Sequence, residues 1–219
     1  MSIAIVRYNA GNIRSVVNAL KRLGVEPVLT DDADELRHAD KVLFPGQGEA
    51  KTAMAYLREH HLDEVIKGLT QPVLGICIGQ QLLCKHSEEG DTDCLGIFDV
   101  DVKRFQPSCH EDKVPAMGWQ EIRPIQHSAF SIKYYDCLFG NANNKGNQHT
   151  IQADGLGEAE YTYFVHSYYV PLCKWTIAEA DYILPYSAAL HKDNFWTTQF
   201  HPEKSGKVGE QILKNFLAL

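Results

Sequence analysis

A cysteine between two glycines stands at the junction of two different apolar patterns. Residues 72–76 form a short apolar run that predicts a buried strand, and residues 78–86 carry apolar side chains at helical spacing. Cys77 therefore falls in a strand-to-helix turn, a type of turn that holds its central residue in a strained conformation at the carboxyl edge of a sheet. Gly75 and Gly79 fit this turn because they carry no β-carbon.

This position makes Cys77 a candidate nucleophile. The start of the following helix faces the sulfur and favours the thiolate form. The backbone N–H of Ile78 is placed to donate to a developing oxyanion. The alternative is that Cys77 is a small buried hydrophobic residue with no chemical role, and this string alone leaves both readings open.

A second short string, residues 199–203, reads Gln-Phe-His-Pro-Glu. Aromatic and β-branched residues over 194–200 predict a strand, and His201 and Glu203 follow at its end. Side chains at i and i+2 of an extended chain point to one side, so Glu203 can hold His201 in one tautomer. Alone, the string also fits a surface turn. Together with Cys77, it supplies the nucleophile, base and orienting acid of a catalytic triad.

Composition and charge exclude several other classes of protein. The net charge of −7, with scattered basic residues, gives no electrostatic footprint for nucleic acid. No apolar run is long enough to span a bilayer, and the first residues predict a strand rather than a signal peptide. Six cysteines are too sparse for a disulfide scaffold at this length. We expect a cytoplasmic protein with reduced thiols and no membrane partner.

No cofactor or metal is expected. The sequence has no Walker loop and no Gly-x-Gly-x-x-Gly fingerprint. Cys84 and His86 are close enough in sequence to suggest metal ligands, but no second close pair accompanies them, and packing on the predicted helix is the better explanation.

Strand and helix patterns alternate through about the first ninety residues, which predicts parallel strands with helices on both faces. Active sites in such sheets lie at the carboxyl ends of strands, where residues 45–46 and Cys77 both fall. From residue 97 to 190, β-type runs dominate and predict antiparallel additions. The expected fold class is α/β, with a mostly parallel central sheet, helices on both faces and antiparallel strands in the second half. With 44% hydrophobic residues, the chain can bury one core, and we expect a single domain over residues 1–219.

The two strings together resemble the class I glutamine amidotransferases, which use a cysteine triad to hydrolyse the side-chain amide of glutamine. Further stretches resemble the glutaminase subunit of imidazole glycerol phosphate synthase, in the same order along the chain: residues 8–18, 44–48, 114–119 and 163–169. The resemblance covers essentially the whole chain, and it implies the class I amidotransferase fold.

The resemblance also implies roles for individual residues. The implied catalytic residues are Cys77, His201 and Glu203. The implied oxyanion donors come from Gly46, Gln47, Gly48 and Ile78. The positions implied to hold glutamine are Gln81, Glu89, His166, Ser167 and Tyr168. A surface that faces a synthase partner is implied at Asn9, Asn12, Met117, Gly118 and Trp119. A core aromatic is the other interpretation of Trp119.

The expected partner is a cyclase. A (β/α)8 barrel needs about 250 residues, and one domain already uses this chain, so we expect a separate cyclase subunit that forms a heterodimer with it. By the resemblance, that subunit uses ammonia from glutamine to make imidazole glycerol phosphate and aminoimidazole carboxamide ribotide in histidine biosynthesis. Gly46 and Gly48 leave the peptide of Gln47 free to rotate, so we hypothesise that the partner or its ligand sets this oxyanion donor.

Three rival functions stay open. A paralogous amidotransferase feeding ammonia to another synthase, for example in surface-sugar synthesis, has a similar glutaminase half. A cysteine peptidase or chaperone-like relative places histidine directly after the nucleophile, where this chain has Ile78. A catalytically inactive interaction module is the third, and the presence of all three triad residue types argues against it. Arg7, Gln47 and Ala116 differ from the family's usual residues, and the stretch 133–160 is longer than usual.

Overall fold

The computed structural model describes residues 1–8, 13–125, 129–140 and 160–219. The strands are β1 (Ile3–Val6), β2 (Val28–Thr30), β3 (Lys41–Gly46), β4 (Val73–Cys77), β5 (Cys84–Ser87), β6 (Thr92–Asp93), β7 (Phe98–Arg104), β8 (Ala116–Pro124), β9 (Glu160–His166), β10 (Tyr168–Tyr169), β11 (Thr176–Tyr182), β12 (Leu184–Lys192) and β13 (Phe195–Thr198). The helices are α1 (Ile13–Arg22), α2 (Ala33–His38), α3 (Ala50–Glu59), α4 (Leu62–Lys67), α5 (Ile78–Leu83), α6 (Ala129–Phe139) and α7 (Gly206–Ala218), with a 3₁₀ turn at Pro202–Lys204.

The central sheet has the strand order β2-β1-β3-β4-β13-β12-β11-β8-β9. Neighbouring strands are parallel from β2 to β13 and antiparallel from β13 to β9. The α/β class with antiparallel additions is therefore confirmed. Although β13 comes from the second half of the chain, it lies parallel to β4, with Thr198 opposite Ile76. Because these strands end at one sheet edge, the segment after β13 reaches Cys77.

Helices cover both faces of the parallel strands, as predicted. Ile3 and Ile5 share a core with α1, α6 and α7, whereas Ala4 and Val6 share a core with α2 to α5. Alternate residues of β1 thus face opposite layers, and all four are buried. Apolar residues on both faces of a strand are typical of parallel strands between two helical layers. No helix within the described ranges is long and apolar enough to cross a membrane.

A second sheet, with the order β10-β7-β5-β6, packs on the α2 to α5 side of the molecule. The predicted helix over 78–86 is wrong beyond Leu83, because Cys84 is extended and pairs with Phe98 of β7. Pairing with a strand distant in sequence and burial in the core outweigh the helical spacing of the apolar residues. Cys84 and His86 therefore lie on β5 rather than on a helix.

Two further local differences concern the first half of the chain. The short helix α2 was not predicted, although Asp32 caps it by accepting hydrogen bonds from the backbone N–H groups of Asp34 and Glu35, each at 2.9 Å. Residues 45–46, which were expected at the end of a strand, belong to β3 itself, because Gly46 pairs opposite Cys77. This pairing places the two candidate catalytic segments side by side.

Candidate active site

The turn at Cys77 has the strained geometry that the sequence predicts. Cys77 ends β4 with φ 56° and ψ −110°, a conformation that residues with a β-carbon rarely adopt. A β-carbon at Gly75 would lie 2.8 Å from Leu83 Cδ1, and one at Gly79 would overlap the carbonyl oxygen of Phe44. Both glycines are therefore required for space, and close packing around them holds Cys77 in its strained position.

His201 and Glu203 form a buried pair in the turn after β13. His201 Nδ1 and Glu203 Oε1 are 2.8 Å apart, and each side chain is only 2% exposed. The Ser205 hydroxyl donates to the His201 carbonyl at 2.7 Å and accepts from the Tyr163 N–H at 3.0 Å, while the His201 N–H donates to the Tyr163 carbonyl at 2.9 Å. The bonds to Tyr163 tie the turn to β9, and the contact with Glu203 holds the imidazole in one orientation. The alternative of a surface turn is wrong.

The charge state of His201 depends on Cys77 and Glu203. Burial acts to lower the pKa of His201, but the charge and hydrogen bonding of Cys77, together with Glu203, raise that pKa to about 10. Glu203 occupies Nδ1 of His201, so the ring nitrogen left for Cys77 is Nε2. In the described part of the chain, Nε2 makes no hydrogen bond of good geometry. Such bonds are often long without substrate and tighten when it binds. At neutral pH the imidazole holds a proton that it can give to a leaving group.

Replacing Glu203 by glutamine is expected to lower the pKa of His201, because the carboxylate stabilises the protonated ring. The pKa of His201 is about 10 in the folded state and about 6.5 in the unfolded state. Its protonation therefore adds stability that is fully present below pH 6.5 and is lost as the pH rises through about 10. We therefore expect the difference in unfolding free energy between wild type and Glu203→Gln to shrink between pH 6 and pH 10. Urea unfolding across this range and NMR titration of His201 measure both effects. A difference that is independent of pH would contradict this account.

The four residues implied as oxyanion donors lie around Cys77. Ile78 begins α5, so its N–H has no partner within that helix, and Gln47 and Gly48 line the same cleft as Cys77. A β-carbon at Gly46 would overlap the hydroxyl of Tyr8, whereas Gly48 has φ 145° and open space around it. The two glycines thus serve different purposes. Gly46 permits close packing, and Gly48 permits an unusual backbone conformation.

Cys77 opens into a cleft of about 460 Å³. All five positions implied to hold substrate line it, namely Gln81, Glu89, His166, Ser167 and Tyr168. Sequence reasoning missed four other lining residues, namely Pro115, Tyr163, Val165 and Lys204. All four lie within or beside the strings quoted above, so a local signal was present. Their place in the cleft depends on the position of β9 beside the 3₁₀ turn.

The cleft offers hydrogen-bond acceptors. His166 Nδ1 donates to the Tyr168 carbonyl at 2.8 Å, since a carbonyl can only accept. Burial lowers the pKa of His166 to about 4, so the ring is neutral and presents Nε2, a buried acceptor that has no hydrogen-bond partner among the described residues. Glu89 Oε2 accepts the Ala50 N–H at 2.8 Å, and partial burial raises the pKa of this carboxyl. A small polar ligand with N–H donors fits this lining.

An exposed apolar surface borders the cleft. Met117 and Trp119 of β8 are 64% and 56% exposed. The Trp119 ring packs edge-on against Tyr163, a cleft residue, with ring centroids 6.0 Å apart. Trp119 is therefore not a core aromatic. Gly118 lies between the two exposed residues, and the Asn9 and Asn12 positions lie outside the described residues.

Comparisons with known proteins match this chain over nearly its whole length. The glutamine amidotransferase class-I family matches residues 5–219. The imidazole glycerol phosphate synthase subunit HisH of Bacteroides thetaiotaomicron is 59% identical over 219 residues, which cover 100% of both chains. The subunit of the same name from Escherichia coli K12 is 41% identical over 220 residues, again covering 100% of both chains.

Two solved structures share the fold. One glutamine amidotransferase aligns with a TM-score of 0.64 at 18% identity, covering 98% of this chain and 97% of its own. A glutamine amidotransferase from Thermotoga maritima aligns with a TM-score of 0.56 at 14% identity, covering 100% of this chain and 81% of its own. At such low identities, the likeness concerns the fold alone.

Proposed function

Because the chain belongs to the class-I glutamine amidotransferases, we propose that Cys77, His201 and Glu203 are its catalytic residues. The observation that carries this proposal is that the strained Cys77 and the buried His201–Glu203 pair meet at one edge of the sheet beside a cleft. The activity is hydrolysis of glutamine to glutamate and ammonia, which supplies histidine biosynthesis. Full-length identities of 59% and 41% to HisH subunits favour this function over a paralogue serving another synthase.

The proposed reaction uses the geometry in two stages. The Cys77 sulfur attacks the side-chain amide carbon of glutamine, and the backbone N–H groups of Gln47 and Ile78 stabilise the oxyanion. His201 gives its proton to the departing ammonia, which leaves a thioester on Cys77. A water molecule, deprotonated by His201, then attacks the thioester carbon and releases glutamate, which restores the thiolate and the protonated ring.

The substrate position follows from the lining of the cleft. The acceptor atoms of His166 and Glu89 suit the N–H groups of an amino acid, and partial burial raises the pKa of the Glu89 carboxyl. Ser167 and Tyr168 continue this wall, and Gln81 adds an amide oxygen, because its nitrogen is already bonded within the protein. These acceptors support a pose in which the amino-acid end of glutamine contacts this wall and its side-chain amide lies toward Cys77.

The ammonia goes to a cyclase subunit, and we infer that this subunit docks as the second half of a heterodimer on Met117, Gly118 and Trp119. The exposure of these residues and the contact of Trp119 with Tyr163 support the inference, since the surface then adjoins the cleft. Large exposed aromatic side chains are frequent anchors of protein interfaces. In this proposal, residues 1–219 act as one amidotransferase domain.

A coupled assay tests the function. Ammonia release from glutamine is measured for the chain alone, with the cyclase, and with the cyclase and its ribonucleotide substrate, alongside formation of imidazole glycerol phosphate. We expect glutamine to support product formation only when both subunits are present, with one ammonia consumed per product. Product formed from free ammonium but never from glutamine would refute the proposed function.

Trp119→Ala is expected to weaken binding of the cyclase by about 30-fold, the effect typical of truncating a central aromatic anchor. Its matched control is Leu29→Ala on β2, which removes another exposed side chain at the opposite edge of the central sheet. Titration calorimetry with the cyclase compares the variants. Equal affinities for the two variants would exclude the Trp119 surface as the docking site.

A further inference from the structure

Gln199 lies next to the nucleophile, although neither the triad nor the residues assigned to substrate include it. It follows β13 and precedes the turn that carries His201, and its side chain is completely buried. Its Nε2 lies 3.8 Å from the Cys77 sulfur, and its Oε1 accepts from Gln81 Nε2 at 3.0 Å. The backbone N–H of Gln199 also donates to the Ala188 carbonyl at 2.8 Å, which fixes the residue in the sheet.

The direction of this amide follows from a backbone group. The Tyr168 carbonyl can only accept, so the atom that Gln81 presents to it at 3.0 Å is Nε2, the donor. The same Nε2 contacts Gln199, so the Gln199 atom that faces it is the oxygen. The nitrogen of Gln199 consequently points to the sulfur. The Tyr168 carbonyl thus orients the Gln81 amide, and the Gln81 amide orients the Gln199 amide with its N–H group toward Cys77.

Two contacts of the sulfur act in opposite directions. The Val165 carbonyl lies 3.8 Å from Sγ and can interact only with a protonated thiol, since a thiolate has no hydrogen to donate. The Gln199 amide, in contrast, is a donor and stabilises the anionic sulfur. Electrostatically, Cys77 also interacts with His201 and with Tyr8 at the end of β1. Further titratable side chains line the same cleft, namely Glu89, Tyr163, His166, Tyr168 and Lys204.

We propose that Gln199 is a positioning residue that donates a hydrogen bond to the Cys77 sulfur and stabilises the negative charge that the sulfur carries when it attacks. The proposal rests on the proposed function, because it assumes that Cys77 is the nucleophile. Gln81 takes part indirectly. Gln81 donates a hydrogen bond to the amide oxygen of Gln199. This bond holds the oxygen away from the sulfur, so the nitrogen of Gln199 faces Cys77.

The test is the pH dependence of Cys77 alkylation by iodoacetamide, followed by mass spectrometry of the peptide that contains Cys77. In Gln199→Met, which keeps the length of the side chain but removes the donor, we expect the midpoint to rise by about 1 pH unit. We also expect kcat for glutamine to fall by roughly tenfold while KM changes less than about twofold, because the lost contact acts on the sulfur. The exposed Cys109 and Cys137 serve as internal references, whose alkylation should not change.

Gln80→Met is the matched control. Gln80 is also a completely buried glutamine, but its amide donates to the Ser187 carbonyl at 3.1 Å and accepts from the Thr197 hydroxyl at 2.7 Å. Its replacement should lower stability without moving the alkylation midpoint of Cys77. Gln199→Glu, which has the same shape, provides a second test if Gln199→Met does not fold, and its midpoint should also rise because the carboxylate repels an anionic sulfur.

The outcomes separate this proposal from the function on which it rests. An unchanged midpoint in either folded Gln199 variant, or an equal rise in Gln80→Met, would overturn the role of Gln199 while leaving Cys77 as the nucleophile. Glutamine hydrolysis that persists in the absence of the Cys77 sulfur would instead overturn the proposed function. A raised midpoint confined to the Gln199 variants supports the proposal.

Discussion

Cys77→Ala is expected to lower kcat for glutamine hydrolysis by at least about four orders of magnitude, since members of a catalytic triad act as a unit and the nucleophile has no substitute. The structure gives the reason. The sulfur is held by the strained backbone of residue 77, and no other cysteine lines the cleft in the described part of the chain. Alanine deletes only the sulfur and adds no atom, so the fold and the docking surface should persist. The assembled enzyme should therefore still form its product from free ammonium.

The control for this prediction is Cys84→Ala. Cys84 is completely buried just beyond the other end of α5, and its thiol donates to the Gln80 carbonyl at 3.4 Å. Its replacement should lower stability but change kcat less than about threefold, because it does not contact the cleft. If Cys77→Ala lost activity with both glutamine and free ammonium, its role would be structural rather than catalytic.

Gly79→Ala is expected to destabilise the protein by at least about 3 kcal/mol, the upper range for overpacking a tight interior. The added β-carbon would overlap the carbonyl oxygen of Phe44, which belongs to β3 and cannot move without disturbing the strand that leads to Gly46. We therefore expect glutaminase activity to fall along with the urea midpoint. Equilibrium urea unfolding, followed by fluorescence, measures the first effect.

Gly68→Ala provides the comparison for this variant. Gly68 ends α4 with φ −86°, and a β-carbon there would approach nothing closer than 3.4 Å, the distance to the Glu64 carbonyl oxygen. We expect its unfolding free energy to remain within about 1 kcal/mol of wild type. Gly79→Ala and Gly68→Ala proteins of equal stability would show that the packing of α5 against β3 is looser than this structure implies.

Local features of the site were predictable because neighbouring residues encode them. Gly75, Cys77 and Gly79 specify a tight turn through their sizes alone, and the structure confirms it. His201 and Glu203 are two residues apart, so their contact depends only on the local course of the backbone. Alternating strand and helix patterns likewise predicted the α/β class, since each pattern extends over only a few residues.

Other features depend on partners distant in sequence. The strand at Cys84–Ser87 was missed because its pairing with β7, not its own apolar spacing, makes it extended. Tyr163 and Lys204 were missed as cleft residues because they become neighbours only when β9 packs against the turn after β13. No spacing in the sequence indicates that Gln199 points to Cys77.

The sequence alone determined the tight turn at Cys77, the pairing of His201 with Glu203 and the alternation of strands and helices, because each arises from side chains within a few positions of one another. Three features arise only in the folded molecule, namely the proximity of Cys77 to His201, the orientation of the Gln199 amide and the exposure of Trp119. They require β13 to lie parallel to β4 and β8 to pair with β9. These pairings join segments far apart in the chain. Burial of both faces favours the pairing of β4 with β13, whose residues are all buried, whereas β8 and β9 leave one face accessible.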